Sequence, residues 1–141
     1  KYADTSLGFK NLDDIIDFNK KDSLNIMPYG QKLFEGVVTD QASVNELEAI
    51  KEKLKANGKI FFDKPMEASG LDAILSINNY HAAHAAVAEY PALTVPMGYA
   101  ENGAPKGITF IGKPLTENQL LQIGFAFENK TKYRQSQKEL N

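Results

Sequence analysis

A mixed α/β fold, in which a few strands including one hairpin pack against several helices, is predicted by three features of this chain. Ser43 with Glu46, and Thr116 with Gln119, have the spacing of helix-opening capping boxes, and each is followed by apolar residues at helical spacing. Asp72–Ile77, Ala92–Val95 and Gly107–Ile111 are short runs of mostly apolar or small residues, as buried strands require. Between the last two, Glu101-Asn102-Gly103 has the chemistry of a tight reversal, so those runs are expected to form a hairpin.

Taken along the chain, Leu12, Ile15, Ile16 and Asn19 share one helical face, which predicts a helix over 11–21 with Asn11 as its cap. Asp13 and Asp14 lie favourably near the positive end of that helix. A turn follows at Pro28–Gly30, and Gln31–Val38 is expected to be a brief helix carrying Leu33, Phe34 and Val37 inward. After Ser43, the stripe Val44, Leu47, Ile50 and Leu54 predicts a helix stopped at Gly58, a natural left-handed residue. Residues 60–70 lean to helix despite Pro65. Tyr80–Ala88 is alanine-rich and helix-favouring until Pro91 forces an extended residue before it. From Thr116, Leu120, Ile123 and Phe127 form one stripe, thickened by Leu121 and Phe125, and this helix should dock on the sheet. The polar residues 133–141 read as a frayed tail.

One domain over 1–141 is expected, because a chain of this length buries enough surface to hold a core, and 43% hydrophobic with 24% charged residues argues against wholesale disorder. A net charge of −2 without a basic stripe argues against nucleic acid as a partner. No apolar run approaches the ~20 residues that cross a bilayer, so membrane insertion is not expected, and the cytoplasm is the expected compartment. With no cysteine, disulfides, thiolate nucleophiles and Cys-based zinc sites are excluded. An opening at Lys1 rather than methionine fits a chain cut from a longer one.

Serine chemistry needs a hydroxyl held beside a base, often on a Gly-flanked turn. None of the six serines has that setting, and Ser76, near a strand end, is the only one worth inspection. His81 and His84 are three apart and would face one side of a helix, but two ligands without companions make a weak metal site, and neither a metal nor a cofactor is expected. Gly98, Gly103, Gly107 and Gly112 lack the strand, turn and helix order of a phosphate cradle and suit turns and bulges. Asp13, Asp14 and Asp17 lie outside the apolar stripe and read as solvated charge.

Tyr90-Pro91-Ala92-Leu93-Thr94-Val95-Pro96-Met97-Gly98, then Asn102–Gly112, then Thr116–Leu121 and Phe125–Glu128, resemble the C-terminal end of amidase-signature hydrolases. Leu12–Asn19, Pro28–Gln31 and Leu71–Leu75 resemble further blocks of the peptide-amidase and glutamyl-tRNA amidotransferase A-subunit type, in the same order. The resemblance implies a carboxamide hydrolase whose serine, cis-serine and lysine lie upstream and are absent from this chain. This piece would then be inactive alone, supplying scaffold and one wall of a small-molecule amide pocket, with Asn78, Asn79, Tyr80 and His81 as substrate-facing residues. A free-standing binding module with the same architecture is the alternative. Ile77 stands where that family usually has proline, and Glu89 where it usually has glycine. Strand edges left uncovered would favour self-association into an oligomer.

Overall fold

The computed structural model describes residues 4–135, so most of the tail expected over 133–141 lies outside the described residues. Its contacts group the chain into two compact units, Lys1–Val44 and Asn45–Asn141.

In the first unit a 3-10 turn at Thr5–Leu7 precedes α1 (Leu12–Lys20), α2 (Ser23–Ile26) and α3 (Lys32–Thr39). Asn11 caps α1 as expected: its side-chain oxygen accepts the Asp14 N–H at 3.0 Å, and the Asp14 carboxylate accepts the Asn11 N–H at 3.2 Å. The short α2 is not foreshadowed by any periodicity. Gln31, 8% exposed, joins α1 to the start of α3, donating to the Ile16 carbonyl and accepting from Asn19 at 3.0 Å. The inward placement expected for Leu33, Phe34 and Val37 is not found: all three are exposed, Leu33 to 86%. A unit of three short helices has too little surface to cover a second apolar face.

The second unit contains α4 (Val44–Ser69) from its second residue on, β1 (Ile74–Ile77), α5 (Ala82–Ala88), β2 (Ala92–Tyr99), β3 (Pro105–Ile111) and α6 (Glu117–Thr131). The strands form an antiparallel sheet of order β1-β3-β2, so the expected hairpin is present with β3 paired on both edges. Its turn is built as the sequence implies, with Gly103 left-handed and the Asn102 side chain accepting the Ala104 N–H at 3.1 Å. An extra residue, Met97, sits between Pro96↔Gly107 and Gly98↔Lys106, a β-bulge in β2.

Alternation along β3 divides the core in two. Ile111 packs with Phe62 of α4, Ala85 and Ala88 of α5, and Tyr90 on one face. Phe110, with Val95 and Leu120, meets Ile108, Ile123 and Phe127 on the other, where α6 docks. The stripe predicted for α6 is therefore the buried one. Leu121 and Phe125, expected to thicken it, face solvent. The capping box at Thr116 does not form either, because its hydroxyl donates to the Lys113 carbonyl at 2.7 Å instead of accepting a helix amide. The first strand is shorter and less buried than expected, as Leu75 and Ile77 lie exposed on an edge strand and only Ser76 is buried.

Gly58 corrects a further expectation. It does not stop α4, which runs for 26 residues in all, through Pro65 to Ser69, and is closed by Gly70, whose φ is +60°. There the Leu71 N–H reaches back to the Met66 carbonyl at 2.9 Å, the six-to-one bond of a Schellman stop. Gly58, Phe62 and Met66, four residues apart, form the buried stripe of the helix. A Cβ on Gly58 would lie 3.0 Å from the Ala88 Cβ and 3.1 Å from its backbone nitrogen, so the residue serves close approach of α4 and α5 rather than chain reversal.

Tyr90 links the two layers. Its ring stacks on Phe62 at 5.6 Å and its hydroxyl donates to the Asp63 carboxylate. Burial, reinforced by the Asp63 carboxylate, pushes the phenol up to about 12.

Gly58→Val is expected to cost about 1–3 kcal/mol in urea unfolding, since its branches meet helix backbone that cannot swing aside. Unchanged stability would show that α4 and α5 are not held this closely. Tyr90→Phe is expected to cost about 1–3 kcal/mol at neutral pH, because the buried hydroxyl's bond to a carboxylate is lost. The folded phenol titrates above its unfolded value of about 10. Its contribution is therefore complete below pH ~10 and is lost as pH rises towards 12, so wild type and Tyr90→Phe should converge across that window. A difference that stays constant through it would remove the phenol–carboxylate bond from the account.

Candidate functional site

The loop between β1 and α5 carries all four residues singled out as substrate-facing. Asn78 adopts a left-handed backbone (φ +50°), which asparagine tolerates better than most residues, and this turns the chain off the sheet. Three bonds tie it to β3. Its N–H donates to the Gly107 carbonyl at 2.8 Å, its side-chain oxygen accepts the Gly107 N–H at 2.8 Å, and its carbonyl accepts the Thr109 hydroxyl. Asn78 thus commits its backbone N–H, its carbonyl and its side-chain oxygen to β3, whereas Asn79 and Tyr80 are exposed. Gly107 is required beside it, since a Cβ there would run into the Thr94 methyl.

His81 is half-buried at the start of α5, and its Nδ1 lies 2.9 Å from the Ser76 hydroxyl. Its ring packs against His84 at 5.5 Å and Phe61 at 6.0 Å, and Phe61 also stacks on His84 at 5.3 Å. The two histidines do share one side of the helix, as their spacing implies. Ser76 is 5% exposed on a strand, and the other neighbours of the His81 ring are aromatic rather than a carboxylate. Among the described residues the pair therefore has no orienting third group, and the burial of Ser76 closes the open approach that a nucleophile and base need. Nothing in the local sequence pairs Ser76 with His81, because the contact depends on the angle at which the chain leaves Asn78.

Asn78 and Asn79 open onto a groove of about 510 Å³ that also involves Thr94, Pro96 and Gly98 of β2 and Lys106 and Gly107 of β3. Tyr80 and His81 are not among the residues that line it. A larger hollow of about 520 Å³ in the first unit is walled by Met27–Phe34 with Asn19 and Ile26.

On the far end of α5, Glu89 closes the helix with φ +60°, a left-handed conformation that costs a side chain more than glycine. Its carboxylate pairs with the Lys55 ammonium at 2.7 Å, and this hydrogen bond holds the Glu89 carboxyl below the usual carboxylate range. Glutamate thus holds here the backbone conformation that glycine adopts most easily.

No family model matches the chain. It is 29% identical over 131 residues to a probable amidase of Arabidopsis thaliana, covering 92% of this chain and 26% of that protein. Over 55 residues it is 46% identical to the A chain of the Nostoc sp. glutamyl-tRNA(Gln) amidotransferase, covering 39% of this chain and 11% of the other. Among solved structures, an amidase family protein from Bacillus anthracis superposes with a TM-score of 0.78 at 40% identity, over 93% of this chain and 26% of its own. The peptide amidase from Stenotrophomonas maltophilia gives 0.69 at 28% identity, over 89% and 28%. The chain is therefore related to amidases in sequence and in fold across nearly its whole length, and it spans about a quarter of the longer relatives it matches throughout. Among the described residues no helix is long and apolar enough to cross a membrane.

Glu89→Gly is expected to raise the thermal midpoint by about 2 °C, because relief of the left-handed backbone outweighs an exposed ion pair. Lys55→Met, which removes the pair but keeps the backbone, should lower it slightly. A lower midpoint in Glu89→Gly would mean that the ion pair, rather than the backbone, governs this helix end.

Proposed function

We propose that this chain is the C-terminal portion of an amidase-signature hydrolase that cleaves the C–N bond of a carboxamide, with its serine, cis-serine and lysine supplied by chain upstream. The observation that carries this reading is the near-complete match, in sequence and in fold, to amidases roughly four times as long. Exposed apolar side chains support it: Leu75 and Ile77 on the β1 edge, Leu121 and Phe125 on α6, and Ile50 and Leu54 on α4 are all left open to solvent. The rest of a longer polypeptide would cover them.

In this reading the portion contributes scaffold and one wall of the amide pocket. Asn78 fixes the loop to β3 and so positions its neighbours. Asn79 and Tyr80 offer the amide and phenol groups that would meet substrate, and His81 steadies the loop through Ser76. Hydrolysis itself is assigned elsewhere, since Ser76 faces an imidazole inside the fold rather than a lysine.

Ammonia release from simple carboxamides is expected to be undetectable with the 141-residue chain and restored in a polypeptide that adds the upstream Ser/Lys segment. In the longer protein Asn79→Ala should raise KM more than it lowers kcat. Turnover by the 141-residue chain that survives Ser76→Ala and His81→Ala would overturn the proposal. In sedimentation the shorter chain should self-associate and the longer one should not, as expected if the added segment covers the open edges.

A further inference from the structure

We infer that the groove between the Asn78–Asn79 loop and the β2–β3 hairpin is a binding site for a small carboxylate. Among the described residues that line it, two are cationic, Lys106 and Arg134, and none is a carboxylate, although the chain as a whole carries a net charge of −2. The groove is thus positive against the balance of the molecule.

The two cations are not equivalent. Arg134 is anchored: its Nε and Nη2 both reach the Glu128 carboxylate, at 2.8 and 2.7 Å, and Glu128 does not line the groove. That pair fixes the guanidinium while leaving its remaining N–H groups unspent. Lys106 has no hydrogen-bond or ion-pair partner among the described residues, so its charge is not neutralised by them. The other polar side chains divide in the same way. Thr94 is taken up by Thr109 at 2.7 Å, and the Asn78 oxygen by Gly107. The Asn79 amide and the Tyr99 hydroxyl have no partner among the described residues and can donate to a ligand. What remains for a ligand is a set dominated by donors with one uncompensated positive charge, and its complement is a planar anion with two acceptor oxygens. A volume of about 510 Å³ is within the range of small-molecule sites.

The strands also hold the groove in shape. The Met97 bulge twists the end of β2, and Gly98, with φ +123°, faces the Tyr133 ring. No side chain larger than hydrogen is readily accommodated in that backbone.

The test is titration of the 15N-labelled 141-residue chain with N-acetylglycine, its neutral counterpart N-acetylglycinamide, and inorganic phosphate. N-acetylglycine is expected to shift the Asn79, Gly98, Lys106 and Gly107 amides saturably, with N-acetylglycinamide at least about 10-fold weaker. Lys106→Met should weaken the N-acetylglycine response by about 10-fold, and Lys106→Arg should retain it; both lie on an exposed strand position and leave the rest of the spectrum as the check on folding. Equal responses to acid and amide, a response indifferent to Lys106→Met, or phosphate as strong as N-acetylglycine would each overturn the inference. Because the readout is binding to the 141-residue chain, its failure leaves the turnover experiment untouched.

Discussion

The second unit depends on β3 being satisfied along both edges. Ile108–Ile111 pair with β1 on one side and with β2 on the other, so four residues anchor two antiparallel ladders and contribute to both core clusters. Ile111 is fully buried and Phe110 nearly so, on opposite faces. Helices can then be laid on each face independently: α6 by its Leu120, Ile123 and Phe127 stripe, α4 and α5 by Phe62, Ala85 and Ala88. The loop leading to the groove inherits its position from the same strand, because every bond that holds Asn78 ends on Gly107 or Thr109.

Around that centre, tight contacts rather than long-range charge fix the layers. Gly58 lets α4 come within van der Waals distance of Ala88, and Tyr90 closes the same corner with a stacked ring and a bond to Asp63. The next residue after Ala88 is Glu89, whose unfavourable backbone is held between these packed neighbours. Strain of this kind persists only where its surroundings over-determine it. The ion pairs of Lys20, Lys55 and Arg134, each between at least partly exposed groups, are secondary.

What the sequence discloses follows from how local each signal is. Asn11 and Asp14 cap α1 within four residues of one another, and Asn102-Gly103 makes its turn without outside help, so both can be read directly. The hairpin and the α6 stripe are legible for the same reason. Gly58 misleads because a glycine that ends a helix and one that lets another helix approach look alike until the partner, here Ala88 thirty residues on, is known. Thr116 misleads because a hydroxyl at a helix start can turn to a preceding carbonyl, and sequence does not weigh the two. The site is only partly visible: the loop residues can be named, whereas the contacts of Ser76 with His81 and of Asn78 with β3 are made across the fold. Lys106 and Arg134 carry no signal at all, being ordinary surface cations until the hairpin sets them on one groove.

The extra residue at Met97 has a consequence for how this hairpin can change its length. Side chains on a strand alternate with a period of two, so a single inserted or deleted residue would normally exchange inside for outside along everything that follows. The bulge absorbs one such odd count locally, leaving Ala92–Pro96 in phase with the core while Gly98 and Tyr99 resume pairing with Lys106 and Pro105. It behaves as a phase slip: length variation on the tip side of Met97 is decoupled from the packed side. The end of the hairpin that frames the groove can therefore be lengthened or trimmed without turning the core strands inside out.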